Sequence, residues 1–97
     1  MATKVYSVCL SGDLVQPVTV PNGATFLSAV RWPDEPIQLH FLGDDHADAM
    51  TIVIEQVLAK NPDDPADVTE QCIKYLGSAS GIWNSRFTTT HLFEVLS

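Results

Sequence analysis

The sequence predicts a mainly β domain, a small antiparallel sandwich or barrel of six to eight short strands with at most one helix. Three observations carry this. Apolar and polar residues alternate with a period of two, most cleanly where Ile37, Leu39 and Phe41 interleave with Gln38 and His40. β-branched and aromatic residues fill the apolar runs, as in TIVI at 51–54 and FTTTHLF at 87–93. Gly, Pro, Asn and Asp clusters punctuate the chain between these runs. At 97 residues the chain makes one domain, residues 1–97, burying roughly 60 to 65% of the surface its unfolded form exposes.

Taken in order, Lys4 to Leu10 (KVYSVCL) reads as a strand whose more apolar face is Tyr6, Val8 and Leu10. Ser11, Gly12 and Asp13 form a turn. Gln16 to Trp32 (QPVTVPNGATFLSAVRW) reads as strand, turn, strand. Pro21 presets the angle of the second turn residue and Gly23 releases the chain. Gln16, Val18 and Val20 share one face before the turn, and Phe26, Ser28, Val30 and Trp32 share one after it. A hairpin with both faces on the same side of one sheet is the resulting expectation. Pro33 and Pro36 then break the chain, because each removes a donor and restricts its predecessor. Ile37 to Phe41 is the next strand.

A charged connection, Gly43 to Ala49, leads into MTIVIEQVLAK, which fits two templates. As a helix it aligns Met50, Val53, Ile54, Val57 and Leu58 on one stripe. As a strand it gives its β-branched run a pleated surface to pack on, and the strand is favoured. Asn61-Pro62-Asp63-Asp64-Pro65 is the strongest breaker and marks a solvated loop. Gln71 to Leu76 reads as a strand after a helical turn begun at Val68. GSASG reads as a small-residue turn, Ile82-Trp83 as a short apolar element, and Phe87 to Leu96 as the closing strand.

Composition limits function. Five basic residues stand against 12 acidic ones, for a net charge of -7, so a phosphate backbone or anionic membrane surface is repelled. Neither nucleic acid nor membrane is expected as a partner. No apolar run approaches the length of about 18 residues that spans a bilayer, and no secretory leader pattern opens the sequence. Cys9 and Cys72 sit in apolar stretches and read as buried thiols of a reducing cytosol, a disulfide between them being the alternative.

Chemistry-bearing groups are sparse. Asp44, Asp45, His46 and Asp48 could converge on a cation, but the stretch lacks the glycine and terminal glutamate of a calcium loop and reads as a charged turn. His40, His46 and His91, with the two cysteines, provide the residue types of a nucleophilic site without a local signature. CxxC, GxxxxGK[ST], GxGxxG and HExxH patterns are missing from the sequence. The expectation is a protein that is not an enzyme and needs no cofactor or metal. For protein binding, Trp83 between Gly81 and Arg86 is a candidate anchor, because aromatic and arginine side chains dominate interface hot spots. Trp32 beside Pro33 fits the same description, with a cap on the core as the favoured reading for it. Asp44, Asp45, Asp48, Asp63 and Asp64 supply charge for a basic partner.

Two segments carry a resemblance. VTVPNGATFLSAV, through Pro21, Gly23, Ala24, Leu27, Ser28 and Val30, and IKYLGSASG with THLFEVL, through Tyr75, Gly77, His91, Phe93 and Glu94, resemble the opening and closing patterns of an uncharacterised family of short bacteriophage and prophage proteins. The chain departs from that pattern at Ser78 and Thr90 and has a longer, more acidic middle. The resemblance implies a β-rich fold and a phage origin, hence the cytoplasm of an infected bacterium. The functional expectation is an acidic phage protein that binds and inhibits a host protein with a basic surface, such as a defence component. The alternative is a structural or assembly protein that self-associates as a homo-oligomer through its sheet edges.

Overall fold

A computed structural model describes residues 3–59, 68, 73–83 and 85–96. It contains seven strands: β1 (Thr3–Cys9), β2 (Val15–Pro21), β3 (Thr25–Val30), β4 (Gln38–Asp44), β5 (Ala49–Leu58), β6 (Ile73–Trp83) and β7 (Arg86–Val95). They form two antiparallel sheets, one of order β1-β4-β3 and one of order β2-β5-β7-β6. The sheets stack as an open sandwich, with β3 over β6 along one side and β1 beside β2 along the other. Residues 51–58 belong to β5, in register with β2 and β7. The strand template therefore holds there, and no helix occurs among the described residues.

The core follows the alternation. Leu10, Val18, Val20, Ile37, Leu39, Phe41, Ile52, Ile54, Ala79 and Leu92 pack between the sheets. Phe26 meets Phe41 edge to face at 5.6 Å between ring centres, a favourable quadrupolar arrangement. Tyr6 and Val8 are half-buried and Leu10 is buried, as the pattern of β1 requires.

The stretch Gln16 to Trp32 corrects the first expectation. β2 and β3 do not pair: β2 joins β5 and β3 joins β4. The turn is an arch carrying the chain from one sheet to the other, so the two apolar faces meet across the core rather than side by side. The Ala24 N–H donates to the Pro21 carbonyl at 3.0 Å, which makes Pro21 the first turn residue rather than the second. Gly23 takes the positive φ of 79° that the third position of such a turn demands. A bulge at Leu27 then shifts the phase of β3. Ala29, not Ser28, takes the inward position opposite Leu39, and Ser28 faces solvent.

GSASG is the second correction, because it is not a turn but the middle of β6, paired with β7 through to Trp83. Gly77, Ala79 and Gly81 point inward, where β3 and the segment after it lie close. A methyl on Gly77 would stand 3.2 Å from the Phe26 ring, and one on Gly81 would stand 2.9 Å from the Arg31 carbonyl oxygen. Small residues are a packing requirement here. The reversal lies instead between Trp83 and Arg86, where Ser85 adopts φ 63°. Of the predicted strand 71–76, Gln71 and Cys72 lie outside the described residues, so the Cys9–Cys72 alternative does too. Cys9 is an exposed free thiol, contrary to its apolar setting, because its parity on the edge strand β1 turns it to the outer face.

Candidate functional site

The sandwich has two ends, and the sequence-predicted binding residues separate between them. At the β2–β3 end, the Asp48 carbonyl accepts from the Asn22 N–H at 2.7 Å, and the Asp44 carboxylate accepts from the His46 N–H at 2.9 Å. Asp45 pairs with Lys4 at 3.2 Å and lies 3.5 Å from His46 Nε2. Asp44 thus shapes the turn, Asp45 ties it to Lys4 on β1, and the Asp48 side chain is exposed. Among the described residues no group of three or more His, Cys, Asp or Glu converges as metal donors.

Arg86 lies at the opposite end, exposed, opposite Trp83 at the close of the β6–β7 hairpin. The side chain of Trp83 falls outside the described residues, as do Asp63 and Asp64. The acids at 44–48 and the hairpin residues lie at opposite ends of the strands.

What the structure does bring together at the hairpin end is apolar. A cavity of about 230 Å³ opens there, lined by Leu14, Arg31, Pro36, Ile37, Leu58 and Thr88 among others. Leu14 and Leu58 are largely exposed on its walls. Trp32 is 58% exposed, which corrects the expectation that it caps the core. The Asp34 N–H binds the Ile82 carbonyl at 3.0 Å, tying the Trp32–Glu35 turn to the hairpin, and Asp34 holds φ 56° to do so. Ile82 pairs with Phe87 in register, and Phe87 is 75% exposed. Arg31 donates from Nη1 to the Glu35 carbonyl at 3.3 Å. Burial against the hairpin pushes its pKa down from the ordinary guanidinium value, without removing the charge at neutral pH.

The lip of the cavity is held by two glutamines. Gln16, buried at the start of β2, accepts from the Ser11 N–H at 2.8 Å and donates to the carbonyls of Ser11 and Asp13 at 3.1 and 2.8 Å. Gln56 Nε2 donates to the same two carbonyls. A polar residue at the head of an apolar face was the signal for this role. Replacing Gln16 by leucine is expected to lower stability by about 1 kcal/mol, since the Ser11 N–H loses its acceptor while the Ser11 and Asp13 carbonyls keep Gln56 alone. Urea titration checks the loss, and faster amide exchange at Ser11 to Asp13 localises it.

The histidines have local partners. Tyr75 and the His91 ring hydrogen-bond through Oη and Nδ1 at 3.0 Å. On the outer face of the three-stranded sheet, Gln38 Oε1 and His40 Nε2 lie 2.9 Å apart, and Ser28 Oγ and His40 Nδ1 lie 3.3 Å apart. Gln38 Nε2 reaches Cys9 Sγ at 3.9 Å. This row contains nucleophile-type residues, but it lies on a flat sheet whose N–H groups run in the plane of the ladder. They do not point at an oxyanion above Ser28, as acyl transfer needs.

A second cavity of about 290 Å³ lies between the sheets at the β2–β3 end, lined by Phe26, Phe41, Met50, Lys74 and Glu94 among others. The residues that define the hairpin-end surface, Leu14, Trp32, Leu58, Ile82 and Phe87, were not selected by the sequence reading except for Trp32. Strand alternation assigns such residues to a face without revealing that the face ends in solvent. The fold and site together define a β-sandwich, of seven strands among the described residues, with an apolar end. No protein-family model, curated protein or solved structure matches the chain.

Proposed function

We propose that this chain is a non-enzymatic protein-binding domain that docks through its hairpin end. The observation that carries the reading is the exposure of large apolar side chains at one end of the sandwich, Leu14 and Leu58 at the mouth of the cavity, Ile82 and Phe87 on the outer face of the hairpin beside it, and Trp32 on the turn tied to that hairpin. Scattered exposed apolar residues are ordinary, but several at one end beside a cavity mark an interaction surface. The net charge of -7 favours a partner whose binding surface is flanked by basic residues and speeds its encounter. With the resemblance to phage proteins, the reading becomes an inhibitor that covers a functional surface of a host protein in the bacterial cytoplasm. A component of a defence system is the leading class of target.

The test is capture of partners from bacterial lysate by the tagged protein, comparing wild type with Leu58→Glu/Phe87→Glu and with Asp48→Lys. Both changes fall on exposed side chains, so the fold should persist, as circular dichroism would verify. The double variant is expected to retain the partner at least about tenfold less well, an effect typical of interface anchors. Asp48→Lys should change the salt dependence of association more than the amount bound. Equal retention of the same partner by wild type and the double variant would remove the hairpin end from the interface.

A further inference from the structure

Among the described residues the sheet order leaves four strand edges, and three of them are blunted. On β2 the Leu14 carbonyl accepts from the Gln56 N–H. In the same register Val15, Pro17, Thr19 and Pro21 turn their backbone groups away from β5. Pro17 and Pro21 therefore delete two of the donors β2 would offer outward, the usual device against edge pairing. On β3 the bulge at Leu27 breaks a six-residue strand. On β6 a bulge interrupts the ladder between Tyr75 and Gly77, and the Ile82 carbonyl is already taken by the Asp34 N–H.

β1 has none of these defences. Its seven residues, TKVYSVC, contain no proline and pair with β4 in one unbroken register. The Leu10 N–H donates to the Ile37 carbonyl at 2.9 Å. By alternation Lys4, Tyr6 and Val8 bond to β4, while Thr3, Val5, Ser7 and Cys9 present both backbone groups outward. Among the described residues nothing bonds to that edge. Its one charge, Lys4, is engaged with Asp45 of the same chain. An unbroken, near-neutral edge of high β-propensity is a template for strand addition.

We infer that β1 pairs antiparallel with β1 of a second copy of the chain across a two-fold axis at Tyr6, joining two three-stranded sheets into one of six. This register sets Thr3 opposite Cys9 of the partner and Val5 opposite Ser7, and it alone uses all four outward-facing residues. A slip of two positions leaves Thr3 or Cys9 unpaired. It opposes no like charges, because Lys4 faces Val8 of the partner, and it is isologous, the symmetry that closes a dimer. The surface is separate from the hairpin end, so the dimer would carry two copies of that end.

The experiment combines light scattering with cross-linking on the full chain. Wild type is expected at twice the 10.6 kDa of one chain. Val5→Lys/Ser7→Lys, both exposed positions, should be monomeric with an unchanged circular dichroism spectrum, because it places lysines side by side across the axis. Thr3→Cys should form an intermolecular disulfide with Cys9 under mild oxidation, since Cα atoms of such a pair lie about 5.5 Å apart. The bond should vanish in Thr3→Cys/Cys9→Ser. A monomeric wild type, a dimer that survives Val5→Lys/Ser7→Lys, or a dimer in which Thr3→Cys forms no disulfide with Cys9 would each overturn the inference. So would dissociation by Leu58→Glu/Phe87→Glu, which would place self-association at the hairpin end instead.

Discussion

Replacing Leu39 by alanine is expected to lower the stability of the domain by about 2 to 5 kcal/mol. Leu39 is fully buried near the start of β4, itself the middle strand of its sheet, between Val8 on β1 and Ala29 on β3. Truncation removes the transfer free energy of the lost carbons and leaves a cavity between two sheets. Ladders on both sides of β4 hinder the collapse that would close it. A domain of this size has a total stability of about 5 to 15 kcal/mol, and its melting temperature falls by about 4 to 8 °C for each kcal/mol lost. Urea titration at unchanged m-value measures the effect. A loss below about 1 kcal/mol would show that the layer around Leu39 is not packed as described.

Gly81→Val is expected to cost about 2 to 3 kcal/mol, at the upper end of the ordinary range for overpacking. A Cβ at position 81 would lie 2.9 Å from the Arg31 carbonyl oxygen and 3.2 Å from its Cγ. The carbonyl belongs to backbone fixed at the end of β3, so the strain cannot be relieved by rotating a side chain. Moving it would disturb the Asp34 to Ile82 hydrogen bond that fastens the Trp32 turn to the hairpin. The variant should therefore also reduce partner retention at the hairpin end, although position 81 faces inward. Ser80→Val is the control, because Ser80 is exposed and contacts Thr89 through its hydroxyl at 2.9 Å. It should change stability by less than about 1 kcal/mol. Similar losses for the two variants would contradict the close approach of β3 to β6.

Local pattern was enough to identify strand character along most of the chain, including residues 51–58, where β-branched residues outweigh the helical stripe. It also identified the inward residues of β1, β2 and β4, because side-chain alternation is a property of the strand itself. Partnership between strands is not such a property. The Pro-Asn-Gly turn reverses the chain, but whether it makes a hairpin or an arch depends on which distant strands, β4 and β5, capture its two arms.

The same limit explains GSASG. Gly and Ser clusters signal turns when judged locally, yet at 77–81 smallness serves the approach of Phe26 and Arg31 from the other sheet, a contact between residues some fifty positions apart. The candidate surfaces are products of that assembly too. The acids at 44–48 were legible as a charged turn, and their separation from Arg86 follows from strand length and sheet order. By itself the sequence determined an acidic, mainly β fold, the break at Pro33 to Pro36 and the buried faces of β1, β2 and β4, since these follow from period, turn chemistry and charge. Only the tertiary structure decided that the strands divide three and four, that apolar residues collect at the hairpin end, and that β1 is left as an unblocked edge. Those outcomes depend on long-range pairing, where each strand's neighbour is chosen by the packing of the whole molecule.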